Sequence, residues 1–81
     1  GGAYGRRFRE LAVRYPGEPE APEARYLLGR IHDYPHLDLF EDALSHYRLT
    51  VERYPRTPWA TQAAERIGVI ERIMNGTTEA P

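Results

Sequence analysis

The chain has 81 residues, a formal net charge of -1 and no cysteine. That length makes one small domain burying only about 60–65% of its unfolded surface, so its stability rests on close packing or on a partner. Near-neutral charge argues against a nucleic-acid protein, the missing cysteines exclude disulfides, thiolate metal sites and cysteine nucleophiles, no apolar run reaches membrane length, and no signal peptide is expected within these residues.

The first helix is predicted over residues 3–15, because Tyr4, Phe8, Leu11, Ala12 and Tyr15 follow the spacing of one apolar stripe. Glu10 stands four residues before Arg14, the favourable order for an ion pair, and Arg6, Arg7 and Arg9 occupy the opposite, solvated face. Pro16 stops this helix, since proline has no backbone donor and pushes its predecessor out of the α region. After a turn at 16–20, a second helix should start near Glu20 or Ala21 and reach about Asp33. Its buried stripe is Ala21, Ala24, Leu27, Leu28 and Ile31, and Gly29 within it implies close approach of a neighbour. Tyr34-Pro35-His36-Leu37 breaks the pattern. Asp38 with Glu41 reads as a capping box for a third helix over 39–54, burying Phe40, Ala43, Leu44, Tyr47, Val51 and Tyr54. Thr57 then caps, and Pro58 opens, a fourth helix whose stripe is Ala60, Ala63, Ala64, Ile67, Ile70 and Met74. Asn75-Gly76 ends it. The reading is one all-α domain over 1–76 and a loose tail at 77–81.

The chain also repeats itself. Arg14-Tyr15-Pro16-Gly17-Glu18-Pro19-Glu20-Ala21 returns as Arg53-Tyr54-Pro55-Arg56-Thr57-Pro58-Trp59-Ala60, 39 positions later, and the offset continues through Ala24/Ala63, Gly29/Gly68 and Ile31/Ile70. A fixed period of this size marks a solenoid unit. Each copy reads as helix end, turn, helix start, with Pro19 and Pro58 suited to the first turn of the next helix. Gly29 and Gly68 each cost about 1 kcal/mol relative to alanine, so a packing reason is expected at both. Trp59 is expected to pack over the Tyr54-Pro55 hinge.

Catalytic chemistry is poorly supplied. Ser45 is the only serine, and its neighbour His46 lies about 100° away around a helix. Glu41 and Asp42 are successive, the pattern of a solvated face rather than of an acid–base dyad. No glycine-rich phosphate loop appears. His32, Asp33, His36 and Asp38 are the densest set of potential metal ligands, and a metal-dependent activity at His32/His36 stands as an alternative, although Pro35 interrupts the helix that would bring the two histidines together. The expectation is a non-catalytic chain without cofactor or metal.

Residues 22–55 resemble a tetratricopeptide repeat. Leu28-Gly29 stand at its Leu-Gly pair, Ala43 and Tyr47 at its Ala-x3-aromatic, and Pro55 at its closing proline. Arg25 replaces the usual tryptophan and His32 the usual tyrosine, and the period exceeds the roughly 34-residue norm. The junction is similar to the Tyr-Pro-x-Ser-Pro-x-Ala junction of two bacterial envelope families, the Tol-Pal-associated periplasmic coordinator and the outer-membrane barrel-assembly lipoprotein, with Thr57 a conservative replacement of the serine and Glu18 a departure from it. The resemblance implies a right-handed antiparallel helix-turn-helix stack of four helices, one full repeat between two halves. It also implies a scaffold in the periplasm or anchored at the outer membrane, for barrel assembly or cell-wall coordination, that binds a protein or peptide partner. The partner-binding groove it implies is Glu23, Tyr26, Arg30, Asp33 and Tyr34 on the second helix. On the fourth it is Gln62, Glu65, Val69, Arg72 and Ile73. The alternative is a homo-oligomerisation module closing its open ends as a homodimer, through Tyr4, Phe8 and the Ile67–Met74 stripe. Neither nucleic acid nor membrane insertion is expected.

Overall fold

The computed structural model describes residues 7–33 and 39–76, and all regular structure among them is helical. Helix α1 covers residues 7–14, and its last five, Glu10–Arg14, are wound as a π-helix. Helices α2 (Ala21–His32), α3 (Phe40–Arg53) and α4 (Pro58–Met74) follow. The chain folds as a stack of four helices. Tyr4, Asp38 and residues 77–81 of the sequence reading lie outside the described residues.

Neighbouring helices pair along the chain, α1 with α2, α2 with α3 and α3 with α4, while α2 also touches α4. Tyr47, midway along α3, meets Gly29 and Asp33 late in α2, whereas Tyr54 at the end of α3 meets Pro16 ahead of α2, so α2 and α3 run antiparallel. Arg48 of α3 reaches Glu71 of α4. Tyr26 meets Trp59 and Asp33 meets Arg66, each pair 33 residues apart, so α2 and α4 run parallel. The radius of gyration is 13.1 Å and the principal extents are 44 × 29 × 14 Å. A ball of this length would have a radius near 12 Å, so the stack is a slab with open ends.

The sequence repeat is a repeat of backbone shape. Tyr15 leaves its helix at φ -126, ψ 58 and Tyr54 at φ -129, ψ 53. Tyr15 O accepts from Glu18 N at 3.1 Å and Tyr54 O from Thr57 N at 3.2 Å. Ala21 N then donates to Glu18 O at 2.9 Å, and Ala60 N to Thr57 O at 3.1 Å. The copies differ in their caps. The Thr57 side chain accepts from Ala60 N and Pro58 holds the first helical position, whereas Glu20, ahead of α2, makes no side-chain cap and Pro19 stays in the turn. Helix α3 begins without a side-chain cap at Leu39. Gly76, at φ 86, takes the left-handed conformation that ends α4.

Two core clusters follow. Ala12, Ala24 and Leu28 join α1 to α2, with Phe8 and Leu11 packed against them. Tyr26, Ala43, Leu44, Tyr47, Ala63 and Ile70 join α2, α3 and α4, with Leu27, Phe40, Val51, Trp59 and Ile67 alongside. Four residues expected inside are exposed: Tyr15, Ile31, Ala64 and Met74. Tyr15 shows why. Its counterpart Tyr54 is half-buried with its hydroxyl donating to Pro16 O at 2.7 Å, and among the described residues no equivalent turn stands beside Tyr15. Trp59 packs on Tyr26, with ring centroids 5.8 Å apart.

The glycines also part company. A Cβ on Gly29 would stand 2.6 Å from Tyr47 Cδ1 and 3.0 Å from Cζ, so the ring lies directly on the glycine. A Cβ on Gly68 would meet only Arg72 Nη1 at 3.9 Å, and the packing reason expected there is absent. Alanine at the two positions should therefore act in opposite directions. Gly29→Ala overpacks Tyr47 and should destabilise by about 1–3 kcal/mol, while Gly68→Ala should stabilise by up to ~1 kcal/mol through helix propensity. Urea unfolding of the two variants measures both, and equal shifts would contradict the asymmetry.

Candidate functional site

The binding residues implied by the sequence divide between two sides of their helices. Glu23 and Arg30, seven apart on α2, are exposed. Their counterparts 39 residues on, Gln62 and Val69, are exposed and partly exposed, and Ile73 is 44% exposed nearby. Together they form a strip along the parallel pair α2 and α4, charged at one edge and apolar at the other. Tyr26 and Asp33 do not belong to it. Both are turned inward against α3, at 4% and 6% exposure. Their counterparts Glu65 and Arg72 are exposed, because no helix packs on that side of α4. Tyr34 lies outside the described residues.

Asp33 is the polar centre of the core. Tyr47 Oη donates to Asp33 Oδ2 at 2.8 Å, Arg66 Nε donates to the same oxygen at 2.7 Å, and Arg66 Nη2 donates to Oδ1 at 3.1 Å. Burial, reinforced by the Asp33 bond, pushes the Tyr47 hydroxyl well above its ordinary range and keeps it a donor. A buried carboxylate is stable only when paired and hydrogen-bonded, and here one residue from each of two other helices supplies the donors. Asp33 therefore serves packing: both its oxygens are taken. Arg30, at the exposed rim, donates from Nη1 to Tyr26 Oη at 3.3 Å, which ties its guanidinium to the edge of the core.

A second polar cluster joins α1, α2 and α3. Arg25 Nη1 donates to His46 Nδ1 at 3.0 Å and Nη2 donates to Ala12 O at 3.3 Å. His32 stacks on His46 at 5.2 Å, and its Nδ1 donates to Leu28 O at 2.8 Å. Arg25 and His32, the two positions that depart from the repeat pattern, thus both meet His46. Each Nδ1 is engaged with protein, and among the described residues no three His, Asp or Glu side chains are grouped to hold a metal ion. His36 lies outside the described residues, so the His32/His36 pairing does too. Ser45 is exposed while the neighbouring His46 is drawn into this cluster. Among the described residues no helix is long and apolar enough to cross a membrane.

No protein-family model, curated protein or solved structure matches the chain.

His46 makes the domain acid-sensitive. Burial, then the charges of Arg25 and His32, lower its pKa from 6.5 to about 4, against a weaker opposing pull from Asp42; Arg9 adds to the lowering. The folded state holds His46 neutral where the unfolded chain would protonate it. Its contribution is therefore complete above pH 6.5 and is lost as the pH falls toward 4. The upper bound is ~3 kcal/mol, reduced by solvent screening of the half-buried ring. Unfolding free energies measured between pH 7 and 4 should fall more steeply for the natural chain than for His46→Gln; identical slopes would contradict this placement.

Proposed function

We propose that the chain is a non-catalytic interaction scaffold that holds a protein or peptide partner along the strip formed by Glu23, Arg30, Gln62 and Val69. One observation carries this reading: two parallel helices present register-matched surface positions on a stack whose polar core groups are already committed to one another. Repetition fixes the spacing of such positions, and their differing chemistry, Glu23 against Gln62 and Arg30 against Val69, is what a partner would read. An arginine beside an apolar edge suits an extended or helical peptide carrying a carboxylate and an aliphatic or aromatic anchor. The repeat junction's similarity to bacterial envelope proteins supports a role at the periplasmic side of the outer membrane, in barrel assembly or cell-wall coordination.

The strip can be tested in cells with a photo-crosslinking residue. Placed at Gln62 or Val69 it should trap one discrete partner band, and Arg30→Ala should reduce that band several-fold while leaving helicity unchanged. Placed at Ser45 or Glu52 on α3 it should trap none. Equal capture from all four positions would contradict the strip.

A further inference from the structure

The contacts of α2 with α3 have open counterparts at both ends of the stack. Tyr47 lies on Gly29, Tyr54 Oη donates to Pro16 O, and His46 stacks on His32 while accepting from Arg25. Moved forward by one period, the α2 side of these contacts becomes Gly68, Pro55, Glu71 and Ala64. Moved back by one period, the α3 side becomes Phe8, Tyr15 and Arg7. We propose that a second copy of this chain seats its α1 on the open side of α4. Phe8 then lies over Gly68, and Tyr15 Oη donates to Pro55 O, so that the stack continues head to tail between molecules.

The contact has open surface on both sides, and Phe8 is half-buried against Ala12, Ala24 and Leu28. Gly68 has nothing near its missing Cβ but the end of Arg72. Tyr15 is 52% exposed, and with Arg7, Leu11, Glu18 and Glu20 it lines a hollow of about 390 Å³ beside α1. The same line on α3 is His46, Thr50 and Tyr54, and there α2 covers it so fully that Thr50 is 0% exposed. The hollow on α1 thus matches the side of α3 that α2 covers, and among the described residues no helix packs on the equivalent side of α4.

The chemistry on the two sides changes together. Tyr47 needs its acceptor Asp33, whereas Phe8 has no hydroxyl and the position matching Asp33 is Arg72. A guanidinium over the Phe8 ring is a favourable cation–π arrangement. The stacked pair His46/His32 becomes Arg7 with Glu71, two opposite charges, and Glu71 already holds Arg48 of its own molecule at 2.9 Å. Arg25, which serves a neutral His46, becomes Ala64, so no second arginine faces Arg7. Three paired exchanges keep the match, and the net charge of +3 over residues 1–15 meets the carboxylates Glu65 and Glu71. The joined surfaces differ from one another, so the contact is heterologous and leaves a free end on each assembly. It uses the side of α4 about 100° around from Val69 and so stands independently of the partner strip.

Light scattering of the 81-residue chain from micromolar to millimolar concentration should show a mass that climbs past the dimer. Gly68→Leu, placed in open space and better suited to a helix, should stay folded by circular dichroism and remain monomeric. Arg7→Glu combined with Tyr15→Phe alters only exposed side chains and should weaken association at least roughly fivefold, the value of one neutral hydrogen bond. Mixing these two chains leaves one intact head and one intact tail, and should give a one-to-one dimer that grows no further. A natural chain that stays monomeric throughout, a Gly68→Leu chain that still associates, or a mixture that forms no dimer would each overturn the proposal.

Discussion

Tyr47 is the side chain on which the stack depends. Its ring rests on Gly29 of α2, its edge packs with Tyr26, 5.7 Å away between centroids, and its hydroxyl ends on Asp33, which Arg66 of α4 holds from the other side. Each element answers a cost raised by another. A buried phenol needs an acceptor, a buried carboxylate needs charge-assisted donors, and a ring this large beside a helix needs a position without a Cβ. Removing any one leaves the others with an unsatisfied group or a void. Three helices are locked in one register by this set, and the parallel pairs Tyr26/Trp59 and Asp33/Arg66 share the same 33-residue step.

Around this centre the 39-residue repeat sets direction. The Tyr15 and Tyr54 exits have nearly the same backbone angles and matching turn hydrogen bonds, so the chain bends in the same way twice. Bends of equal shape lay successive helices in a row instead of around a ball. A row has ends, and here the ends are chemically marked. Gly68 repeats the seat of Gly29 without its ring, and Tyr15 repeats the tyrosine of the hinge without its carbonyl. The same packing pairs its polar groups: Asp33 is held by Tyr47 and Arg66, and Arg25 and His32 both meet His46.

Much of this was legible in the sequence for physical reasons. Helix existence followed from the apolar period and the proline punctuation, and the ends of α2 and α4 fell within a residue or so of expectation. Thr57, Pro58 and Gly76 acted as local chemistry dictates. What failed depended on which neighbour was present. Tyr26 and Asp33 read as surface because a helical wheel cannot say which sides a second and a third helix cover. Tyr15 and Met74 read as buried for the same reason reversed. Gly68 was given the role of Gly29, although a glycine's packing reason exists only when the packing helix does. The Asp33–Arg66 link joins residues 33 positions apart and has no local signature. One signal was available, since Tyr26 stands beside Arg25 and opposite the Ala-x3-Tyr pattern of α3, and that side of α2 is where the next helix of a repeat must pack.

The account rests on the seat at Gly29 having an unfilled copy at Gly68 that a second molecule can occupy. Isotope-filtered nuclear Overhauser spectroscopy on an equal mixture of labelled and unlabelled chains addresses this directly. Contacts between the Phe8 ring of one molecule and the Gly68 α-protons of another are the predicted result. Intermolecular contacts confined to other surfaces, or none at concentrations where the chain self-associates, would contradict it.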